Sequence, residues 1–149
     1  MLKSGVFALS LAIAAAAGFP DPAPPLKVPK ELLEKRLDTV RKVYQQNLAR
    51  LKGGQSLPSE LFGWSERWLE AELALAEKPA DRAKVLQDHL DRTREVERAA
   101  VGYAKAGQGR QADADAATYY RLEAEIRLLK EGVEPQPAKG EKYRPSEKK

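Results

Sequence analysis

The chain has 149 residues, a formal net charge of +4, a single histidine and no cysteine. This length leaves room for one domain, and the lack of cysteine excludes a disulfide-stabilised scaffold and soft-metal ligand sets. Acidic and basic residues alternate along the chain instead of forming a basic stripe, which argues against a nucleic-acid partner. Because the chain offers one histidine and no cysteine as ligands, we expect no metal, and we expect no other cofactor.

The first segment, MLKSGVFALSLAIAAAAGFP, has the layout of a secretory signal peptide. One lysine precedes an apolar run from Val6 to Ala17, and small residues follow. We expect residues 1–18 to be removed by cleavage after Ala17 or Gly18, which makes the mature chain periplasmic or secreted. The alternative is a membrane anchor, but the run is shorter than the roughly 20 residues of a spanning helix. After signal removal we expect no transmembrane segment.

Both ends of the remaining chain are rich in proline and charge. Residues 19–30, FPDPAPPLKVPK, carry five prolines, which fix φ and lack a backbone N–H, so this segment is predicted to be an extended leader. Residues 133–149 offer little apolar surface to bury and predict a disordered charged tail. A docked peptide or an electrostatic contact with an anionic surface is the alternative for the tail.

Residues 31–132 show the three- and four-residue spacing of apolar side chains that is typical of amphipathic helices. Gly53 and Gly54 are expected to end the first helix. Ser56 is the expected N-cap of the second helix, and Pro58 suits its first turn.

Two tryptophans, Trp64 and Trp68, lie four residues apart on the apolar stripe of the second helix. This spacing favours a place in the core over a ligand-stacking pair.

Pro79 has no glycine, spacer or Ser/Asp cap beside it. The pattern therefore favours one long helix from about Pro58 to Ala106 that is kinked at Pro79, and a four-helix bundle is the alternative if the helix breaks there. The last helix is expected from roughly Arg110 to Glu131. Its predicted buried face carries four large side chains: Tyr119, Leu122, Ile126 and Leu129.

The chain contains an internal repeat. A shift of 53 residues aligns residues 41–77 with 94–130, and about ten of some 37 pairs are identical, including LEAE at 69–72 and 122–125. Each copy contains a helix, a glycine turn and a second helix. The sequence thus predicts an all-α fold of two sequence-related antiparallel αα-hairpins, coiled-coil-like, with the LEAE alanines at the close helix contact and the glutamates in water.

These hairpins resemble the helical coiled-coil region of the TolC-type outer-membrane efflux proteins, without that family's membrane domain. Gly54 is followed six residues later by Glu60, and Gly107 by Asp113, before the LEAEL and LEAEI heptads. The resemblance covers about residues 31–131. That family usually has an aromatic residue three positions before the glycine of its turn, and this chain has none at either turn. The resemblance implies a hairpin whose turn docks other envelope proteins.

No catalytic constellation is apparent in the sequence. His89 is expected to pack at the edge of an apolar stripe, and no Ser or Cys nucleophile stands at a telling spacing from it. Neighbouring glutamates such as Glu70 and Glu72 point to different sides of a helix, so they form no carboxylate pair. We therefore do not expect an enzyme.

The favoured function is an exported, non-enzymatic helical interaction or scaffold module beside an envelope efflux or secretion assembly. Its partner is expected to be a protein of the cell envelope or a second copy of the chain. The residues predicted to contact the partner lie at the two turn tips: Gln55, Ser56, Leu57, Gln108 and Arg110. The alternative is a protein that binds an anionic lipid or polysaccharide surface through its basic tail.

Overall fold

A computed structural model describes residues 27–138. These residues form four helices: α1 (Lys30–Lys52), α2 (Pro58–Leu73), α3 (Pro79–Lys105) and α4 (Gln111–Lys130). No strand occurs in this range. The predicted all-α fold of two helical hairpins is therefore confirmed. The predicted signal peptide and most of the predicted leader lie outside the described residues.

The two hairpins turn in the same way. Hairpin 1 consists of α1, its turn and α2, and hairpin 2 consists of α3, its turn and α4. The second helix of each starts after a glycine with positive φ, +70° at Gly54 and +68° at Gly107. The backbone N–H of Gln55 donates to the Arg50 carbonyl over 2.8 Å, and the equivalent N–H of Gln108 donates to Tyr103 over 3.0 Å. The sequence repeat is thus a repeat of backbone geometry.

The helical conformation is interrupted between α2 and α3. Helix α2 ends at Leu73, and α3 begins at Pro79, which occupies its first turn. Lys78 is extended, with ψ 149°, because a residue before proline is disfavoured in the helical region. The favoured prediction of one long helix kinked at Pro79 is therefore wrong, and the four-helix alternative is confirmed.

The helices pack around a central pair. Helix α2 contacts all three other helices, whereas α1 and α4 share no contact within residues 27–138. Helices α2 and α3 thus lie at the centre, with α1 and α4 on opposite sides.

Besides a smaller group that joins α1 and α2 (Leu37, Val40 and Ala71), two groups of buried side chains hold this arrangement together. One joins α1, α2 and α3 with α4, and its members are Tyr44, Leu48, Leu51, Leu61, Val96, Ala100 and Ala117. The other joins the two hairpins through Leu69, Leu86, Leu90, Ala124 and Leu128. Trp64 and Trp68 pack half-buried against the first group, and Trp68 meets Tyr44 edge-on with ring centroids 5.1 Å apart.

Helix α4 buries a different face from the one its large apolar residues predict. Its buried face consists mainly of alanines together with Leu128. The predicted face is exposed, with fractions of 57% for Tyr119, 43% for Leu122, 50% for Ile126 and 53% for Leu129. The prediction was wrong because α4 lies at the outside of the bundle, where small side chains let it approach α3 closely. We name these four exposed residues the α4 apolar face.

The first residues of the predicted tail contact α3. Val133 packs against the hairpin–hairpin core, and Ala138 is buried. The carbonyl of Gln136 accepts a hydrogen bond of 2.6 Å from Arg94, and its N–H donates to Gln87 over 2.9 Å. The favoured prediction of a disordered tail therefore does not hold for residues 133–138, which are docked on the bundle as in the alternative prediction. Residues 139–149 lie outside the described range.

Two glycines test the turn geometry by the same substitution. A Cβ added at either Gly107 or Gly102 meets no atom within 4 Å. Gly107→Ala should lower the free energy of unfolding by about 1 kcal/mol, because φ is positive there. Gly102→Ala lies inside α3 and should raise it by about 0.5–1 kcal/mol. Urea denaturation measures both changes, and shifts of the same sign would contradict the assigned turn.

Candidate functional site

The two glycine turns lie together at one end of the bundle, which we name the turn end. Alternating helix directions bring the first and third connections to the same end. The turns line a common cavity of about 160 Å³, whose walls include Ser56, Leu57, Gln108 and Arg110. Gln55 is exposed beside this cavity without lining it. Four of the five predicted contact residues are therefore adjacent.

Several polar side chains at the turn end bond locally. The Ser56 hydroxyl donates to the Glu60 carboxylate over 2.8 Å, and Leu57 occupies the N-cap position of α2 without a side-chain cap. The prediction that Ser56 caps α2 is therefore wrong. Arg110 donates two hydrogen bonds to Asp113, of 2.9 and 2.7 Å, and holds the pKa of that carboxyl below its usual value.

Leu57 is the exposed apolar residue of the turn end, with 43% of its surface accessible. Gln55 and Gln108 are exposed around it. A small apolar centre with a polar rim is suited to binding another protein by surface contact.

A chain of polar side chains crosses the contact between the hairpins. The Ser65 hydroxyl of α2 lies 3.0 Å from Nδ1 of His89 in α3. Glu66 Oε1 lies 3.0 Å from His89 Nε2, and Glu66 Oε2 lies 3.1 Å from the Arg127 guanidinium of α4. The Glu66–His89 contact is close but poorly directed, because Nε2 has no acceptor in line with its N–H among the described residues. In the tautomer with its proton on Nε2, that N–H faces the Glu66 carboxylate and Nδ1 is left to accept from the Ser65 hydroxyl.

Burial sets the charge state of this chain. Removal from water lowers the pKa of His89 below its ordinary 6.5, although Glu66 opposes the shift. The contact with His89 in turn lowers the pKa of Glu66 below 4.5. His89 is therefore neutral at pH 7.

Serine, histidine and glutamate in one chain have the composition of an acyl-transfer site, but both Ser65 and His89 are almost fully buried, at 0% and 1% exposure. A substrate carbonyl cannot reach a hydroxyl in that position, so the arrangement acts to join the hairpins. His89 packs on the buried face of α3 as predicted, but it is enclosed there and does not lie at the edge of that face. The sequence signal for the contact is Ser65 itself, a polar residue spaced four from both Leu61 and Leu69.

A charged cluster lies between α1, α2 and α3. Glu72 lies 3.1 Å from Arg41 and 3.4 Å from Arg92, and the Arg92 guanidinium carbon lies 4.2 Å from the centroid of the Trp68 ring. The Glu72 and Arg92 side chains are only 12% and 10% exposed. The prediction that the LEAE glutamates stay in water is therefore wrong for Glu72. The prediction holds for Glu70, which forms an exposed ion pair with Arg36.

A groove runs along the outer side of hairpin 1, and we name it the α1–α2 groove. Its volume is about 730 Å³. Val28 and Leu32, which are 51% and 58% exposed, lie at its α1 side. Trp64 of α2 also lines it, and the Arg67 guanidinium carbon lies 4.7 Å from the centroid of the Trp64 ring.

Neither metal binding nor membrane crossing is indicated for the described part of the chain. No cluster of three His, Asp or Glu side chains in residues 27–138 is arranged to hold a metal ion. None of the four helices combines the length and the apolar character that crossing a membrane requires.

Comparison of the chain with protein-family models, with curated proteins and with solved structures finds no match. The resemblance to the TolC-type coiled coil therefore stays a prediction from the residues.

The pH dependence of folding should report the burial of His89. The unfolded chain takes up a proton near pH 6.5, whereas the folded chain does so only at lower pH. Stability should therefore fall as the pH drops below 6.5, with a slope of at most about 1.4 kcal/mol per pH unit. Glu66 adds its own loss only below pH 4.5. Urea unfolding at a series of pH values measures this dependence.

His89→Gln is the matched variant, since His89 is the only histidine of the chain. The variant should show a flat profile between pH 6.5 and 4.5. The assignment fails if wild type and variant share the same slope in that window.

Two glutamates of one LEAE segment should respond differently to loss of charge. Glu72→Gln leaves Arg92 buried without its counter-ion and should cost about 3 kcal/mol. Glu70→Gln breaks an exposed pair and should cost less than about 1 kcal/mol. Denaturant unfolding compares the two, and equal losses would argue against the buried charged cluster.

Proposed function

We propose that the chain is an exported, non-enzymatic interaction module that binds a protein partner of the cell envelope at its turn end. The observation that carries the proposal is the meeting of both glycine turns around one cavity, with Leu57 exposed beside it. Exposed apolar residues with a polar rim are typical of protein contact sites.

The polar groups buried inside the bundle are consistent with a structural role rather than a catalytic one. Ser65 and His89, which have the residue types of a hydrolytic site, are enclosed between the hairpins. The buried charged groups Glu72 and Arg92 compensate each other inside the bundle. These groups stabilise the bundle and leave the turns for contact.

The envelope setting of the proposal comes from the amino-terminal sequence and from the resemblance to TolC-type hairpins. In that family the turn docks onto neighbouring envelope proteins. An efflux or secretion assembly is therefore the setting that we propose for this module.

Alanine at four exposed turn positions tests the site: Gln55, Leu57, Gln108 and Arg110. This variant should reduce crosslinking to the partner in the native envelope about tenfold, because removal of a contact centre typically costs more than about 1 kcal/mol. Its free energy of unfolding should change little, since surface substitutions rarely matter to folding.

The control carries alanine at Glu77 and Lys78, which are exposed at the opposite end of the bundle. Crosslinked bands should be retained in this control. If the turn variant keeps every band that wild type gives, the turn end is not the binding site.

A further inference from the structure

The contact between the two hairpins is formed by one face of hairpin 1 and one groove of hairpin 2. Leu69 of α2, which is fully buried, packs against Leu86 of α3 and Leu128 of α4. Leu73 of α2 and Val85 of α3 lie partly buried against the same core. Hairpin 1 thus inserts an apolar face of its second helix into a groove between both helices of hairpin 2.

The 53-residue repeat gives each residue of this contact a counterpart in the other hairpin. Beyond the repeat core, Leu33 and Leu37 of α1 align with Leu86 and Leu90 of α3. The equality of the two turns means that aligned residues occupy equivalent places in their hairpins. Each hairpin should therefore have both an inserting face and a receiving groove.

The inserting face of hairpin 2 is the α4 apolar face. Leu69 aligns with Leu122, and Leu73 aligns with Ile126. Leu122 and Ile126 are 43% and 50% exposed, whereas Leu69 is fully buried in hairpin 1. Hairpin 2 thus exposes the residue types that hairpin 1 uses to bind its neighbour.

The receiving groove of hairpin 1 is the α1–α2 groove. Leu86 aligns with Leu33, and Val85 aligns with Leu32. Both Leu32 and Leu33 line the groove of about 730 Å³, and Leu32 is 58% exposed. The counterparts of Leu90 and Ala124, which are Leu37 and Ala71, are buried between α1 and α2. The part of the groove that Leu32 and Leu33 line is therefore open in hairpin 1.

One pair of charges at the two open surfaces is complementary. At the occupied contact Phe62 of α2 stacks on Tyr120 of α4, with ring centroids 4.1 Å apart. Their counterparts are Asp115 beside the α4 apolar face and Arg67 at the α1–α2 groove. Both counterparts are exposed, and the same docking would bring a carboxylate to a guanidinium.

We propose that the α4 apolar face of one copy binds in the α1–α2 groove of a second copy, continuing the contact that joins the two hairpins within one chain. This association is head-to-tail, so each copy can bind one neighbour at either surface. Both surfaces lie away from the turn end, and self-association is therefore separable from partner binding there.

Two single substitutions test the pairing in sedimentation velocity experiments on the purified full chain. Ile126→Glu places a charge in the α4 apolar face, and Leu32→Glu places one in the α1–α2 groove. Wild type should form species larger than a monomer as concentration rises. Each variant alone should have a dissociation constant raised about tenfold or more, because an unpaired charge would be buried.

An equimolar mixture of the two variants separates head-to-tail pairing from a symmetric pair of α4 helices. Each variant retains one intact surface, so the mixture should form a one-to-one dimer and nothing larger. Symmetric pairing through α4 predicts instead that Leu32→Glu has no effect and that the mixture shows no heterodimer. That result would overturn the proposal.

Ala49→Glu is the control, because Ala49 is an exposed apolar residue of α1 that lies outside both surfaces and outside the turn end. It should associate as wild type does, and denaturant unfolding checks that all three variants fold. Exchange of the charges at Asp115 and Arg67 gives a second measurement: each single reversal should weaken association, and D115R with R67E in one chain should restore it. If wild type stays monomeric up to millimolar concentration, the occupant is not a second copy and the proposal is wrong.

Discussion

The packing of α2 into the groove formed by α3 and α4 is the contact on which the rest of the molecule depends. It covers Leu69 completely, and it brings Ser65 and Glu66 to His89. A single helical hairpin has one apolar side with nothing to cover it, and the two hairpins solve this for one side each. The two open surfaces are the sides of the hairpins that this contact leaves uncovered.

The fold could be predicted from the sequence to the level of helices and hairpins. Glycine turns at Gly54 and Gly107 and the apolar spacing between them were sufficient for this. The sequence does not distinguish a break before Pro79 from a kink, because proline in a first turn and proline at a kink leave similar sequence patterns. The extended conformation of Lys78 distinguishes them only in three dimensions.

The buried face of α4 could not be predicted, for a physical reason that Leu69 and Leu122 make clear. Each is the first residue of an LEAE segment, yet Leu69 is enclosed and Leu122 is exposed. Periodicity reports which face of a helix is apolar, whereas burial also requires another element to lie against that face. Helix α4 lies at the outside of the bundle, and the face that it buries consists of three alanines and Leu128.

The residues of the two turns could be located from the sequence, and their assembly at one end follows from the up-and-down path of the chain. Their contact with a partner stays a prediction. The buried polar chain was missed because Ser65 and His89 belong to different hairpins and meet only when α2 is inserted. The molecule carries one imidazole, enclosed where the two hairpins meet, so the rate of its reaction with an acylating reagent would report their transient opening in solution.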